Sequence, residues 1–461
     1  MSLRAAGQTF SCLMASIRPL ALRANGFFDG FPRMRTSRAA SECARPGCIG
    51  MSDLSAAGQG VSMGKRYLVS FHLLVVLVLA GLWATARAAP VVPVKAAGRL
   101  TLAKEFHLAS AALGDERTIL VSVPDGYDTS KARYPVIYLL DGMQNIRHAA
   151  GTRDVLVRSG DMPPVILVGL KSVDRTLDMT PSRMTGNPQS GDAAKLLAHL
   201  RDEVIPFVEK HYRTNGYRVL AGHSLGGLFC AYAWMKAPKL FDAEIVMSPA
   251  LWWNHEEMAK EVGPFLETHP KLKTSLYFGI GAEDGQGMRQ ELRRFVDTVK
   301  EARPSNVRVG YREFDGEGHM SAPLRIFYRG VKFIFADLRL PQGIIDHFST
   351  GAFLAHEHMI QDKYGAAARQ AQEIYVPLGL QLMQQGRYEA AIAVLRRNAE
   401  AYADNRYPRN NAWLASAYEK AGRTSEALAE YRRAYRLAVE TGYGEAENYR
   451  RKIIELGGRV D

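Results

Sequence analysis

The sequence predicts an α/β fold, a mostly parallel β-sheet with helices on both faces, followed by a small all-α segment. Between residues 100 and 340, short β-branched runs alternate with helix-like stretches, which is typical of parallel strands joined by covering helices. One of these runs is followed by a glycine-flanked serine at the start of a helix-like stretch. After Pro341 the strand pattern ends, and two similar helical units follow.

The predicted strands are short apolar runs bounded by turn residues. Residues 100–109 alternate like an edge strand, so we expect an antiparallel hairpin with the next run. The predicted strands are 118–124, 135–141, 164–170, 217–222, 243–248, 275–281 and 307–314. The predicted helices, chosen for their apolar spacing, are 192–212, 225–236, 288–303 and 322–338.

Residues 63–88 have the pattern of a secretory signal peptide. A basic start precedes the apolar run 73–84, and Ala86-Arg87-Ala88 provides a small-residue cleavage site, so we expect cleavage after Ala88. The alternative is an uncleaved membrane anchor, because the apolar stretch reaches about 18 residues, the lower limit for a span. Cleavage predicts a periplasmic or secreted protein without a membrane span.

The residues before this segment show no apolar period. Because a signal peptide rarely lies so far inside a chain, we interpret residues 1–62 as an extension that precedes the true start at Met51 or Met63. A disordered or transit segment is the alternative.

Charge and cysteine content argue against a nucleic-acid-binding protein and against a disulfide-bonded one. The chain has 59 basic and 47 acidic residues, and the part after residue 88 retains 49 and 44 of them, a net charge of +5. Without a basic run interleaved with aromatic residues, this balance does not indicate nucleic-acid binding. Cys230 is the only cysteine after residue 88, which excludes an intrachain disulfide there, and we expect it to be a small buried apolar side chain. No metal-ligand spacing is present, so neither a metal nor a cofactor is predicted.

The serine motif predicts a nucleophile. Gly222-His223-Ser224-Leu225-Gly226 follows a predicted strand and begins a predicted helix. A nucleophile elbow places its serine on a sharp, strained turn, which requires small neighbours. The alternative is a surface serine in a glycine-rich turn.

Two later loops supply the groups that a serine nucleophile needs, namely a base and a carboxylate that orients it. Asp284 follows the predicted strand 275–281, and His319 follows the predicted strand 307–314. The order Ser224, Asp284, His319 is that of α/β-hydrolases. We therefore predict His319 as general base and Asp284 as the orienting acid, with Glu283 as the alternative acid.

Backbone amides are predicted to stabilise the oxyanion. The Leu225 amide is one candidate, because Leu225 begins the helix after the serine. The second donor should come from the loop after the predicted strand 135–141, where the amide of Gly142 or Met143 is the candidate.

At these residues the chain resembles the putative esterase family of α/β-hydrolases. The matching segments are Leu140-Asp141-Gly142, Arg175 with 178–181, the elbow 222–227, and Ser248-Pro249-Ala250-Leu251-Trp252-Trp253. The resemblance implies an α/β-hydrolase fold and ester cleavage, and it is greatest for the siderophore-esterase-like branch, some members of which carry a C-terminal tetratricopeptide segment.

Three side chains are candidates for substrate binding. Trp252 and Trp253 follow the strand after the elbow, so they could form an apolar wall for an aromatic group, or pack in the core. Arg175 could bind an anionic substrate group or pair with Asp178.

The predicted domains are the hydrolase domain 89–340, a helical linker 341–373 and helical repeats 374–461. Trp413, Tyr418, Gly422 and Ala427 have the spacing of a tetratricopeptide repeat, and Gly386 precedes Gly422 by 36 residues. Because such arrays normally need about three units, we expect the repeats to dock on the hydrolase domain or on a second subunit. They could bind a partner protein, self-associate, or have no role in recognition.

The sequence thus predicts an exported serine carboxylic-ester hydrolase that forms an acyl-serine intermediate. It would act on a small-molecule ester, such as a siderophore-type lactone or another aromatic or small ester. The alternatives are an acyltransferase with the same acyl-enzyme, and a non-catalytic scaffold whose repeats bind a partner.

Overall fold

A computed structural model describes residues 101–285, 287–302 and 304–460. The predicted N-terminal extension, signal peptide and cleavage site lie outside the described residues. Within those ranges, no helix has both the length and the apolar character that crossing a membrane requires.

One eight-stranded sheet forms the centre of the first part of the chain. Its strands are β1 Lys104–Ala109, β2 Glu116–Ser122, β3 Tyr134–Leu139, β4 Ile166–Leu170, β5 Thr214–His223, β6 Ala243–Met247, β7 Lys273–Gly281 and β8 Asn306–Phe314. Their spatial order is β1-β2-β4-β3-β5-β6-β7-β8. β2 is antiparallel to β1 and to β4, and all other pairs are parallel. The predicted mostly parallel sheet and the predicted edge hairpin are confirmed.

Helices cover both faces of this sheet. They are α1 Gly142–Arg158, α2 Arg175–Met179, α3 Ala193–His199, α4 Ile205–His211, α5 Leu225–Lys236, α6 Trp253–Thr268, α7 Met288–Glu301 and α8 Ala322–Ile334. A π-helical turn, Leu200–Val204, joins α3 to α4. It lies just before Pro206, which lacks the amide hydrogen that a regular α-helix would use there.

The predicted helices are present, but α1, α2 and α6 were not predicted. α1 was missed because its buried face is made largely of small or polar side chains, among them Asn145, Ala149, Ala150 and Thr152. Such a face lacks the apolar periodicity that predicts a helix. α6 contains Asn254, His255 and Glu256 in left-handed backbone conformations in its first turn, which helix propensity does not predict.

The core has two layers, one on each face of the sheet. Alternate residues of each strand point to opposite faces. Tyr138 of β3 packs in one cluster with residues of α5, α6 and α7, whereas its neighbour Ile137 packs in the other with residues of α1 and α8. Cys230 is a free, buried thiol in the first cluster, as predicted.

The remainder of the chain is helical, which confirms the predicted all-α segment. Its helices are α9 Gln342–Asp346, α10 Thr350–Tyr364, α11 Gln372–Gln384, α12 Tyr388–Ala401, α13 Pro408–Lys420, α14 Thr424–Thr441 and α15 Ala446–Glu455. The turns between α11 and α12 and between α13 and α14 contain Gly386 and Gly422, both with positive φ. The helix pairs therefore repeat with the spacing seen in the sequence. Their assignment as tetratricopeptide repeats stays a prediction.

The helical segment packs directly on the hydrolase core. Ile360 and Tyr364 of α10 belong to the same buried cluster as Phe335. At Gly160, an added Cβ would lie 2.4 Å from the backbone nitrogen of Ala371. Residues 360–371, which belong to the predicted linker, are thus in close contact with the sheet domain. Docking of the repeats themselves, residues 374–461, stays a prediction.

Glu244 is a carboxylic acid inside the sheet. It lies in β6 with Leu220 and Leu276 as its cross-strand neighbours, and its side chain is buried. Its Oε2 has no hydrogen-bond partner among the described residues. Burial raises the pKa of Glu244 well above its ordinary value, because the apolar surroundings favour the neutral form.

The Glu244→Gln variant should remove a pH dependence of stability. In the wild type, the pKa of Glu244 is higher in the folded than in the unfolded protein. Its contribution to the free energy of unfolding is therefore fully present below pH about 4.3 and is lost as the pH rises toward the folded pKa. The loss is about 1.4 kcal/mol per pH unit in that window. Urea unfolding between pH 5 and 8 measures this slope, which Glu244→Gln should lack.

Exposed Glu267 provides the matched control for this loss of charge. Glu267→Gln should retain the wild-type slope. Equal slopes in all three proteins would mean that Glu244 ionises in the fold without cost.

Candidate active site

Ser224 lies on a strained turn between β5 and α5. Its backbone has φ 60° and ψ −115°, which is uncommon for a residue with a side chain. A Cβ on Gly222 would lie 2.3 Å from the carbonyl oxygen of Gly226, so the turn closes only with glycine there. The Ser224 amide donates to the Met247 carbonyl at 3.0 Å, which ties the turn to β6. The local geometry is that of a nucleophile elbow.

His319 and Asp284 meet beside this turn. His319 Nδ1 and Asp284 Oδ1 are 2.8 Å apart, and the His319 ring centroid is 4.5 Å from that of His223, the residue before Ser224. Ser224 Oγ makes no hydrogen bond among the described residues; in enzymes without substrate such bonds are commonly long and tighten on binding. The three predicted groups therefore come from separate loops to the carboxyl edge of the sheet.

Asp284 is held by two further donors. Ser248 Oγ and the Gly281 amide both donate to Asp284 Oδ2. Burial raises the pKa of Asp284, but the hydrogen bonds from His319 and Ser248 oppose it, and the net result is a pKa below the ordinary value. Glu283 is exposed, and its carboxylate has no hydrogen bond among the described residues. This geometry favours Asp284 over Glu283 as the orienting acid.

Ser248 was not recognised from sequence as part of the site. It stands at the end of the predicted strand 243–248, at the same sheet edge as Ser224, and it is buried with φ 40°. Its position in the Ser-Pro motif was the available signal. What sequence could not supply was its contact with a carboxylate 36 residues away.

His223 is a buried neutral imidazole next to the predicted base. Burial, and then the neighbouring His319, lower the pKa of His223 to about 4. At neutral pH it therefore adds no charge to the site.

The predicted oxyanion donors lie at two helix N-termini. Leu225 is the first residue of α5, and Gly142 and Met143 are the first two of α1, so none of their amides has an intrahelical acceptor. β3 and β5 are adjacent and parallel, so both helices begin at the same edge. Two helix N-termini there favour a developing negative charge.

The candidate substrate-binding residues differ in exposure. Trp252 is 43% exposed, whereas Trp253 is 2% exposed and its indole donates to the Ser182 carbonyl at 3.1 Å. Trp253 is therefore packed in the core and does not line the surface of the site. Arg175 does not pair with Asp178, which instead binds Arg117. Arg175 pairs with Asp141, with Nε 2.6 Å from Oδ1.

The fold and this arrangement define an α/β-hydrolase domain with a serine at its elbow. Residues 110–322 match the family described as putative esterase. The resemblance recognised in the sequence is therefore confirmed.

Relatives support the same assignment. The ferri-bacillibactin esterase BesA of Bacillus subtilis is 27% identical over 232 residues, which are 44% of this chain and 79% of that protein. A siderophore enterobactin esterase of Emericella nidulans is 28% identical over 197 residues, 36% of this chain and 63% of that protein. The crystal structure of an IroE-like serine hydrolase from Shewanella oneidensis superposes with a TM-score of 0.53 at 24% identity, covering 63% of this chain and 97% of the other; this likeness shows the fold. At the level of an ester hydrolase, the predicted function is confirmed.

The Ser248→Ala variant tests the support of Asp284. It removes a hydrogen bond to a buried carboxylate, so unfolding free energy should fall by about 2 kcal/mol at pH 7. The folded pKa of Asp284 is depressed, so this contribution is present above pH about 3.9 and is lost as the pH falls through the folded value. We also expect kcat/KM to fall on the order of tenfold, equivalent to about 1.4 kcal/mol. Urea unfolding and ester hydrolysis measure the two effects.

Ser110→Ala is the control, because Ser110 is also buried and donates to a carboxylate, Glu203, at 2.6 Å in the same domain. It should lose stability but keep wild-type kcat/KM. A Ser248→Ala enzyme with unchanged activity would show that Ser248 has only a structural role.

Proposed function

We propose that this chain is an exported serine carboxylic-ester hydrolase that acts through an acyl-serine intermediate. The observation that carries the proposal is the hydrogen-bonded pair of His319 and Asp284 beside the strained turn of Ser224. Export rests on the signal-peptide pattern of residues 63–88.

The geometry supports a two-step reaction. His319 takes the proton of Ser224 as its Oγ attacks the ester carbonyl carbon, while Asp284 orients the imidazole and stabilises its charged form. The amides of Leu225 and of Gly142 or Met143 bind the oxyanion. The tetrahedral intermediate expels the alcohol, which takes the proton from His319. Water activated by His319 then attacks the acyl-serine, releasing the acid and restoring Ser224.

The surroundings of Ser224 suit an ester with an apolar or aromatic part. Among the described residues of 101–340, seven large apolar side chains are exposed, and five of them lie at the carboxyl edge of the sheet. We call these five the apolar rim: Met143, Val173, Trp252, Met320 and Leu324. They come from four separate loops or helix starts around the site, where exposed apolar area commonly marks a binding surface.

The relatives suggest which such ester to test. One of them is named as a ferri-bacillibactin esterase and another as a siderophore enterobactin esterase. We therefore propose siderophore-type lactones as substrates, with other aromatic or small esters as the broader class.

Ser224→Ala should abolish ester hydrolysis. Purified residues 89–461 should cleave p-nitrophenyl esters and a catecholate trilactone, and the variant should be slower by at least about a thousandfold, because the nucleophile is lost. Release of p-nitrophenol and chromatographic detection of the opened lactone provide the readouts. A fluorophosphonate should label the peptide that contains Ser224 in the wild type only. A folded wild type that cleaves no ester, or a variant as active as the wild type, would contradict the serine mechanism.

Trp252→Ala tests the apolar rim. Removing an aromatic contact should lower kcat/KM for p-nitrophenyl benzoate about tenfold and leave p-nitrophenyl acetate within about twofold, since only the larger substrate reaches the ring. Val439→Ala is the matched control, because Val439 is exposed on α14, outside the sheet domain. If both substrates respond equally to Trp252→Ala, the rim does not select for the apolar group.

A further inference from the structure

Arg175 contacts both segments from which the proposed oxyanion donors come. Its Nε lies 2.6 Å from Oδ1 of Asp141, and its Nη2 lies 3.0 Å from Oδ2 of the same carboxylate. The same Nη2 donates to the carbonyl of His223 at 3.3 Å. Asp141 directly precedes Gly142 and Met143, and His223 directly precedes Ser224. One guanidinium thus links the starts of α1 and α5.

Asp141 depends on this link. It adopts a left-handed conformation, φ 52° and ψ 49°, and its carboxylate makes no capping hydrogen bond to its own helix. Its oxygens instead accept from Arg175 and from Ser172 Oγ, at 2.7 Å, in a buried position. Without Arg175, a buried carboxylate would lose its charged partner, and the strained residue before the α1 amides would lose its main restraint.

Arg175 is itself held in place from both ends of α2. Asp174 caps the helix by accepting from the Leu177 amide at 3.0 Å. At the other end, Asp178 forms a buried pair with Arg117 of β2. The guanidinium therefore projects from a short helix that is fixed to the sheet.

We propose that Arg175 is a positioning residue that sets the spacing between the Leu225 amide and the amides of Gly142 and Met143. This inference rests on the proposed function. In this role Arg175 positions the protein backbone and does not bind the substrate. Its guanidinium already forms with Asp141 the bidentate pair that it would otherwise form with a substrate carboxylate.

The two roles differ in their kinetics. If Arg175 spaces the oxyanion donors, Arg175→Gln lowers kcat for every ester on the order of 30-fold or more, since an error of about 1 Å can cost about a hundredfold. KM should change less than about threefold, because the affected contacts form in the transition state. If Arg175 binds an anionic substrate group, KM should rise for p-nitrophenyl hydrogen succinate and nothing should change for p-nitrophenyl acetate.

The experiment compares these two esters in the exported chain and in Arg175→Gln, Arg175→Lys, Asp141→Asn and the Arg175→Gln/Asp141→Asn double variant. We expect equal loss of kcat with both esters, partial rescue by lysine, and a double variant no worse than the poorer single variant, because one linkage is lost in all. A loss confined to KM for the anionic ester, or fully additive losses, would overturn the proposal.

A matched control separates positioning from general destabilisation. Arg397 is half-buried and pairs with the buried Glu357 in the helical segment, with Nε 2.7 Å from Oε2. Arg397→Gln should lower stability and keep kcat within about twofold. Equal kcat losses in Arg397→Gln and Arg175→Gln would overturn the proposal.

Hydrogen exchange gives a readout that does not depend on activity. Amides in residues 141–145 and 223–227 should exchange faster together in Arg175→Gln and remain unchanged in Arg397→Gln, because the link joins these segments. Unchanged exchange in either segment overturns the positioning role even in an active enzyme. A wild type that cleaves no ester overturns the proposed function instead, and faster exchange would then still support the linkage itself.

Discussion

The carboxyl edge of the sheet depends on backbone contacts that are closer than any side chain would allow. At three glycines of this edge, an added Cβ would lie within 2.5 Å of another backbone atom. The pairs are Gly142 with Gly169, Gly222 with Gly226, and Gly281 with Glu317. Each glycine marks the point where a segment that carries a proposed catalytic group leaves its strand. The close approach of these segments is what brings amides, hydroxyl and imidazole to one place.

Two buried carboxylates, Glu244 within the sheet and Asp284 in the loop after β7, show how hydrogen-bond donors determine the charge of a buried group. Asp284 accepts from an imidazole, a hydroxyl and an amide, and its pKa is depressed in spite of burial. Glu244 is buried, its Oε2 meets no donor in the part of the chain that the structure describes, and its pKa is raised. The number of donors separates the two groups, not depth alone. A carboxylate that must stay ionised beside a base therefore has to be surrounded by polar groups, and Ser248 is one of them.

Sequence patterns predicted what depends on neighbours along the chain. The elbow helix α5 has the predicted bounds, and each predicted strand is present. The sequence also predicted that the loops with Ser224, Asp284 and His319 lie at one edge of the sheet, because parallel strands end at the same edge. By contrast, contacts such as that of Arg175 with Asp141 join residues 34 positions apart. They follow from packing, and no local pattern encodes them. The choice between the adjacent Asp284 and Glu283 likewise depended on which side chain the loop turns inward.

The contact between α10 and the sheet has a consequence for how this chain could have been assembled in evolution. Tyr364 is buried, and its ring lies 5.2 Å from that of Tyr217 and 5.1 Å from that of Phe335. The segment predicted as a linker, residues 341–373, thus contributes to the outer layer of the catalytic domain. A recombination event that joined or removed the helices at residue 340 would leave an apolar surface uncovered unless substitutions followed at Tyr217 and Phe335. The two parts are consequently expected to be inherited together.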